Sequence, residues 1–169
     1  ETVMASFASS FGRVLKRDLV GIAKAAAFFY VIHEHVVEIA YTKGPSMLPT
    51  FNNKGDVVLV EHLSRRFYKL KPGDVVISAC PYEPHKLVCK RLLALEGEVA
   101  PNNTKVPKGH VWVQGDNYGN STDSRHYGPI PYALLRGKVF YKIWPPRDAG
   151  PIKDAPKRRG WFSSPTPLE

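Results

Sequence analysis

Apolar and polar residues change their spacing once along this chain, near Gly44. Ahead of that point, Phe11 to Tyr41 contains no proline and predicts one long helix, with Leu19 to Ile32 as its most apolar stretch. On a helical wheel Arg13, Arg17, Lys24, His35 and Glu38 fall on one side and form a polar stripe. The apolar centre is shorter than the ~20 residues that cross a bilayer, and Lys24 interrupts it. Three placements are open to such a helix: in a membrane interface, across the membrane with its stripe on a partner, or packed on its own domain. Arg13, Lys16 and Arg17 also fit the basic start of a secretory signal, but no small-residue cleavage site follows, so a retained anchor is expected.

From Gly44 onward the pattern is that of strands. Val57–Val60, Val75–Ser78, Leu87–Leu95, Val111–Val113 and Val139–Trp144 are short β-branched or aromatic runs. Turn sequences separate them, among them Asn52-Asn53-Lys54-Gly55-Asp56 and Lys71-Pro72-Gly73-Asp74. Gly-Asp-Val-Val occurs at 55–58 and again at 73–76, which suggests a recurring turn-to-strand lead-in. This spacing predicts a mainly β fold, a closed or nearly closed antiparallel barrel. Three regions follow: 1–42 as helix and anchor, 43–146 as the folded domain, and 147–169 as a disordered tail, because beyond Trp144 the chain turns to Pro145-Pro146, Lys157-Arg158-Arg159 and Ser163-Ser164-Pro165 and offers little apolar surface.

Composition narrows the function more than the fold. At 169 residues and a net charge of +9 the chain could suit nucleic acid. Yet no strand interleaves basic and aromatic residues and no basic helix has a groove-reading pattern, so no nucleic-acid partner is expected. An anionic membrane surface suits the charge equally well. Cys80 and Cys89 lack metal-type spacing; they are two half-buried thiols or a disulfide, which sequence does not decide. The scattered histidines indicate no zinc site, and no metal or other cofactor is expected.

The candidate chemistry lies in three blocks. In Gly44-Pro45-Ser46-Met47-Leu48-Pro49-Thr50, glycine and proline confine the backbone so that the Ser46 hydroxyl and its own N–H can share one space. A serine needs a base, and a lysine amine kept neutral can serve. In Leu87–Leu93 read as a strand, Lys90 shares a face with Val88 and Leu92, while Arg91 lies with Cys89 and Leu93. Periodicity alone does not choose between these two cations. Desolvation can lower a lysine by about 3 units or more, which would make Lys90 a base at neutral pH. The third block, Gly115 to Ile130, is dense in glycine and small hydroxyls; Asp123 and Arg125 could pair within it, and Ser121 could fix a lysine amine. Taken singly, each block also fits a buried loop serine, a snorkelling lysine or a solvated turn.

Together, in order and spacing over about residues 43–144, the blocks resemble the type I signal peptidase family, the serine-lysine membrane peptidases. Leu63-Ser64-Arg65-Arg66-Phe67-Tyr68, Gly109-His110-Val111-Trp112 and Phe140-Tyr141-Lys142-Ile143-Trp144-Pro145 look most like its mitochondrial inner-membrane branch. The resemblance implies a signal-peptidase-like antiparallel β-barrel catalytic core with an N-terminal membrane-associated helix, on the inner membrane and facing the intermembrane space. It implies a serine endopeptidase that removes sorting peptides from precursor proteins, with membrane lipid and a second peptidase subunit as partners. Ser46 would be the nucleophile and Lys90 the general base, with Ser121 orienting the amine and Asp123 and Arg125 supporting the loop. The oxyanion hole would use the Ser46 N–H and the Gly44 region, where the family often has a hydroxyl side chain and this chain has none. The alternative is a catalytically idle scaffold subunit of such a complex; a self-cleaving repressor-type protease would need a cleavable linker and a DNA-binding domain, which the sequence does not show.

Overall fold

In a computed structural model of the chain, residues 2–152 are described, with side chains from residue 18 onward. The chain divides after Val36 into a helical unit and a β unit. The first is one helix, α1 (Thr2–His35). It stops short of the predicted Tyr41, because Val37–Thr42 forms strand β1. Valine, isoleucine and tyrosine at alternate positions 37, 39 and 41 suit a pleated strand better than a helix. Glu38 therefore leaves the polar stripe. No helix among the described residues is long and apolar enough to cross a membrane.

Among its described residues the second unit is an antiparallel sheet of eight strands. After β1 come β2 (Asp56–Glu61), β3 (Val75–Ala79), β4 (Leu87–Ala94), β5 (His110–Gln114), β6 (Ile130–Pro131), β7 (Leu135–Trp144) and β8 (Gly150–Pro151). The order is β1-β2-β7-β3-β4-β5-β6, with β8 beside β7. Both Gly-Asp-Val-Val turns lead into strands, β2 and β3. The ladder ends at β1 on one side and β6 on the other, so the sheet is curled like part of a barrel and keeps two edges. Strand β7 joins the halves: it pairs with β2 over Lys138–Trp144 and with β3 over Leu135–Val139.

Burial explains why this sheet positions a site. Every residue of β3 is buried. Its Val75 and Ile77 pack in one cluster with Met47, Phe51, Val58, Val60 and Val139, while Val76 packs in another with Leu92, Val111, Val113 and Leu135. Met47 and Phe51 thus root the segment around Ser46 in the core. The tail expected from residue 147 is ordered at its start: Pro146–Asp148 is a 3-10 turn and β8 follows. Ile152 packs on the first cluster, its N–H donates to the Phe140 carbonyl, and Asp148 accepts from Asn52, so the start of the tail has apolar and polar partners. The remainder of that expectation, 153–169, lies outside the described residues.

Candidate active site

Ser46 is the middle residue of a 3-10 turn, Pro45–Met47, and is half-buried. Gly44 leads into the turn at φ 118° and ψ 163°, a conformation that L side chains rarely adopt. A side chain there would find open space, so the backbone and not crowding disfavours a hydroxyl residue at this position. The turn is fixed from several sides. The Asn117 N–H donates to the Ser46 carbonyl at 2.9 Å, and the Asn117 side-chain amide donates to the Pro45 carbonyl at 3.0 Å. At the far end the Thr50 hydroxyl donates to Asp116, and Lys142 Nζ donates to the Thr50 carbonyl at 3.0 Å.

Strand β4 brings Lys90 to this turn. Its Nζ lies 2.9 Å from Ser46 Oγ in a hydrogen bond, and the residue is only 4% exposed. Burial lowers the Lys90 amine below 10.5; it outweighs the opposing influence of the Cys89 thiol, Asp123 and Cys80, and Arg125 adds to the lowering. The Cys89 thiol is itself pushed up to about 12 by burial, so it stands beside the lysine uncharged. Both cysteines are free and half-buried.

The next residue has the opposite fate. Arg91 forms a two-pronged pair with Asp116, Nε to Oδ1 at 2.8 Å and Nη2 to Oδ2 at 2.7 Å, and it also donates to the Gly73 carbonyl at 2.7 Å. Geometry therefore separates two cations that periodicity leaves equivalent: one meets the serine, the other a carboxylate.

The loop after β5 supplies the remaining groups. Asp123 is fully buried and caps the short helix α2 (Ser124–Tyr127) by accepting from the Arg125 N–H. Its carboxylate also accepts from the Gly115 N–H at 2.9 Å and from the Arg125 guanidinium at 2.8 and 2.9 Å. Burial opposes its ionisation, but these donors prevail and hold the carboxyl below its ordinary range. Arg125 in turn donates to the Tyr118 and Ser121 carbonyls and stacks on the Tyr118 ring, which staples residues 118–121. Ser121 Oγ is shut off from solvent and makes no hydrogen bond to Lys90; it lies close enough to Asp123 to favour the charge, outside hydrogen-bonding geometry.

Gly115 explains how closely these parts fit. A Cβ there would meet the Ser121 side chain and come within 2.5 Å of the Ser46 carbonyl oxygen. Only glycine lets the serine turn and the Ser121 loop approach from both sides. Gly115, Asp116, Asn117, Thr50 and Lys142 received no role from sequence. Asp116 and Asn117 stand in the third block and Thr50 in the first, but only the fold shows which side chains face the other block. Among the described residues no cluster of histidine, cysteine or acid side chains could hold a metal ion.

This arrangement, a half-buried serine hydrogen-bonded to a buried lysine whose charge is disfavoured, is suited to acyl transfer. The family profile described as Signal peptidase, peptidase S26 matches residues 15–102 and 98–144. Mitochondrial inner membrane protease subunit 1 of Mus musculus is 48% identical over 132 residues, which covers 73% of this chain and 79% of the relative. Mitochondrial ATP-independent inner membrane protease subunit 1a of Arabidopsis thaliana is 45% identical over 143 residues, 78% of this chain and 85% of the relative. Mitochondrial inner membrane protease subunit 2 of Mus musculus is more distant, 34% identical over 153 residues, 85% of this chain and 87% of the relative.

Proposed function

The chain belongs to the signal peptidase, peptidase S26, family, and from that premise we propose that it is a serine endopeptidase of the mitochondrial inner membrane working through a Ser46–Lys90 dyad. That it is a peptidase follows from the family. The dyad rests on one observation above all: Lys90 Nζ, excluded from solvent, lies 2.9 Å from Ser46 Oγ.

The reaction begins with Lys90 neutral. Its amine takes the Ser46 hydroxyl proton as Oγ attacks the substrate carbonyl, and the negative charge that develops on the carbonyl oxygen falls beside the Ser46 N–H. Collapse of this intermediate breaks the C–N bond; the Lys90 ammonium gives its proton to the departing amine and leaves an acyl-serine. Lys90 then takes a proton from water as the water attacks the ester, and returns it to Ser46 Oγ when the acid leaves. One oxyanion donor is typically worth ~3 kcal/mol, and the Gly44 backbone leaves that task to main-chain groups. Asn117, Arg91–Asp116 and Asp123–Arg125 act earlier than the chemistry, by fixing the serine turn and the loop against β4.

The substrates we assign are precursor proteins whose sorting peptides are removed on the intermembrane-space side, with a second peptidase subunit as partner. Similarity to both a first- and a second-subunit protease supports a complex of related chains. The idle-scaffold alternative is disfavoured by the lysine: burying it where its charge is disfavoured costs folding energy that a mere scaffold has no use for.

The test is cleavage of a membrane-delivered precursor by the parent chain, Ser46→Ala and Lys90→Ala, each with the second subunit present. Both variants should lose at least about 10³-fold in kcat/KM with circular dichroism unchanged. Activity of the parent should rise with pH as Lys90 gives up its proton, and a flat profile from about pH 5 to 9 in a chemistry-limited assay would remove lysine from the mechanism. Cleavage surviving in either variant would assign the chemistry elsewhere.

A further inference from the structure

The segment between β2 and β3 carries a motif that the peptidase chemistry does not use. Leu63–Arg66 is a single helical turn, and Phe67 and Tyr68 follow it into solvent, 62% and 79% exposed. Arg65, Arg66, Lys69 and Lys71 flank them in the chain. Lys69 Nζ sits over the Phe67 ring at 6.0 Å, so cation and ring are presented together.

This turn is held in place. Glu61 accepts from the Ser64 N–H at 2.8 Å, the Lys69 N–H donates to the Ser64 carbonyl at 2.7 Å, and the Tyr132 hydroxyl donates to the Arg65 carbonyl at 2.9 Å. The Tyr68 ring stacks on Tyr132 with centroids 4.9 Å apart, and Leu70 beyond it is buried in the core. Tyr68 has φ 53°, a left-handed conformation that is uncommon and strained for a bulky side chain. A strained, well-anchored turn that keeps two aromatic rings in water is built to offer them to something.

Position and charge say what. Val37, the first residue of β1, pairs with Glu61, the last of β2, and Glu38 lies 3.4 Å from His62. The turn therefore sits at the end of the sheet where the chain arrives from α1. On the inner-membrane reading above, on which this inference rests, and with the N-terminal helix as its membrane-associated segment, that end is where the chain enters the β unit from the membrane. Exposed aromatic rings among arginines and lysines match the interface of an anionic membrane, where rings settle at headgroup depth and cations meet lipid phosphates.

We propose that the turn Leu63–Lys71 is a contact with anionic lipid, separate from the N-terminal helix. The cations bind headgroup phosphates, and Phe67 and Tyr68 enter the interface. An acidic protein surface would use the same charges, but it has no comparable need for two rings as exposed as Phe67 and Tyr68, one beside a lysine and the other stacked on a tyrosine.

The test places a tryptophan at the contact by Phe67→Trp in the full chain. Its emission, taken as the difference from the parent, is followed on vesicles of pure phosphatidylcholine and of an equimolar mixture with phosphatidylglycerol. On the anionic vesicles the added tryptophan should shift to the blue, be quenched by brominated acyl chains and return towards its free emission as salt is raised. Adding Arg65→Gln and Arg66→Gln should abolish the shift and leave hydrolysis of a soluble peptide at the parental rate, so the peptidase reading stands or falls separately. No shift on anionic vesicles, or an equal shift on pure phosphatidylcholine, overturns the proposal. A shift that needs the second subunit and no lipid also overturns it, and gives the surface to a protein.

Discussion

Lys90 and Arg91 are neighbours on one strand, both buried, and the fold treats them in opposite ways. Arg91 has a carboxylate and a carbonyl to satisfy its guanidinium, and it ties β4 to Asp116 and to the turn before β3. Among the described residues Lys90 has one hydrogen bond, to the Ser46 hydroxyl, and its charge is disfavoured. On the proposed dyad, support and reactivity are split between adjacent residues: the fully paired cation holds the frame, and the poorly paired one is left for the chemistry. A buried group with all its partners has no proton to trade at neutral pH. One denied its charge does.

Removing the paired cation should have the largest effect. Arg91→Met leaves Asp116, itself wholly buried, without its counter-charge. Breaking a buried pair from one side costs about 3–5 kcal/mol, a large share of the 5–15 kcal/mol that holds a typical domain. Arg91→Met with Asp116→Leu should be more stable than Arg91→Met alone, because the orphaned charge is gone. Urea denaturation of the three chains measures this, and a single variant within about 1 kcal/mol of the parent would show that the pair is not what fixes the frame.

On the reactive side the effect should be smaller and of another kind. Gly115→Ala puts a methyl group within 2.5 Å of the Ser46 carbonyl and onto the Ser121 side chain. The serine turn is rooted by Met47 and Asn117, so the added atom displaces the hydroxyl more readily than it unfolds the chain. A misplacement of about 1 Å costs on the order of 10²-fold in rate. The loss should appear in kcat, with a stability cost of about 1–3 kcal/mol for the crowding, less than that of Arg91→Met. Full activity in this variant would mean that the closeness of turn and loop has no bearing on the reaction.

This comparison also shows what a sequence of this kind gives away. The long strands were legible because their β-branched runs are bounded by glycine- and asparagine-rich turns, and β2 to β5 appear close to where the pattern puts them. Strand β1 was not, since Val36 to Tyr41 continues an apolar proline-free stretch and its alternation is only three residues deep. The two-residue strands β6 and β8 have no periodicity to read. At the site, Ser46, Lys90 and the Asp123–Arg125 pair stand in their own blocks with recognisable chemistry, and the structure puts the first two in contact. Arg91–Asp116 and Asn117 with Pro45 join positions in different blocks, and no local pattern encodes a contact between strands and loops. Ser121 is the converse: the family resemblance makes it the lysine's partner, whereas here it rests against Gly115 and near Asp123.

Removing the poorly paired lysine should change stability less than removing Arg91, and with the sign reversed. The folded-state value of Lys90 lies below 10.5, whereas an unfolded chain keeps its lysine at the ordinary value. Between the two the unfolded chain holds more protons, so stability contributed by this residue falls as pH drops through that window and recovers as pH rises towards 10.5. At neutral pH Lys90 is therefore a burden on the fold. Lys90→Met fills the same space without a charge to desolvate; it should be inactive and melt higher than the parent, each kcal/mol being worth roughly 2–4 °C at this chain length. The gain should shrink as the melting experiments move from neutral to alkaline pH, since the parent then has less to lose. A lower melting temperature for Lys90→Met would mean that the lysine contributes as a structural partner of Ser46, as Arg91 does for Asp116, and the contrast between the two cations would disappear.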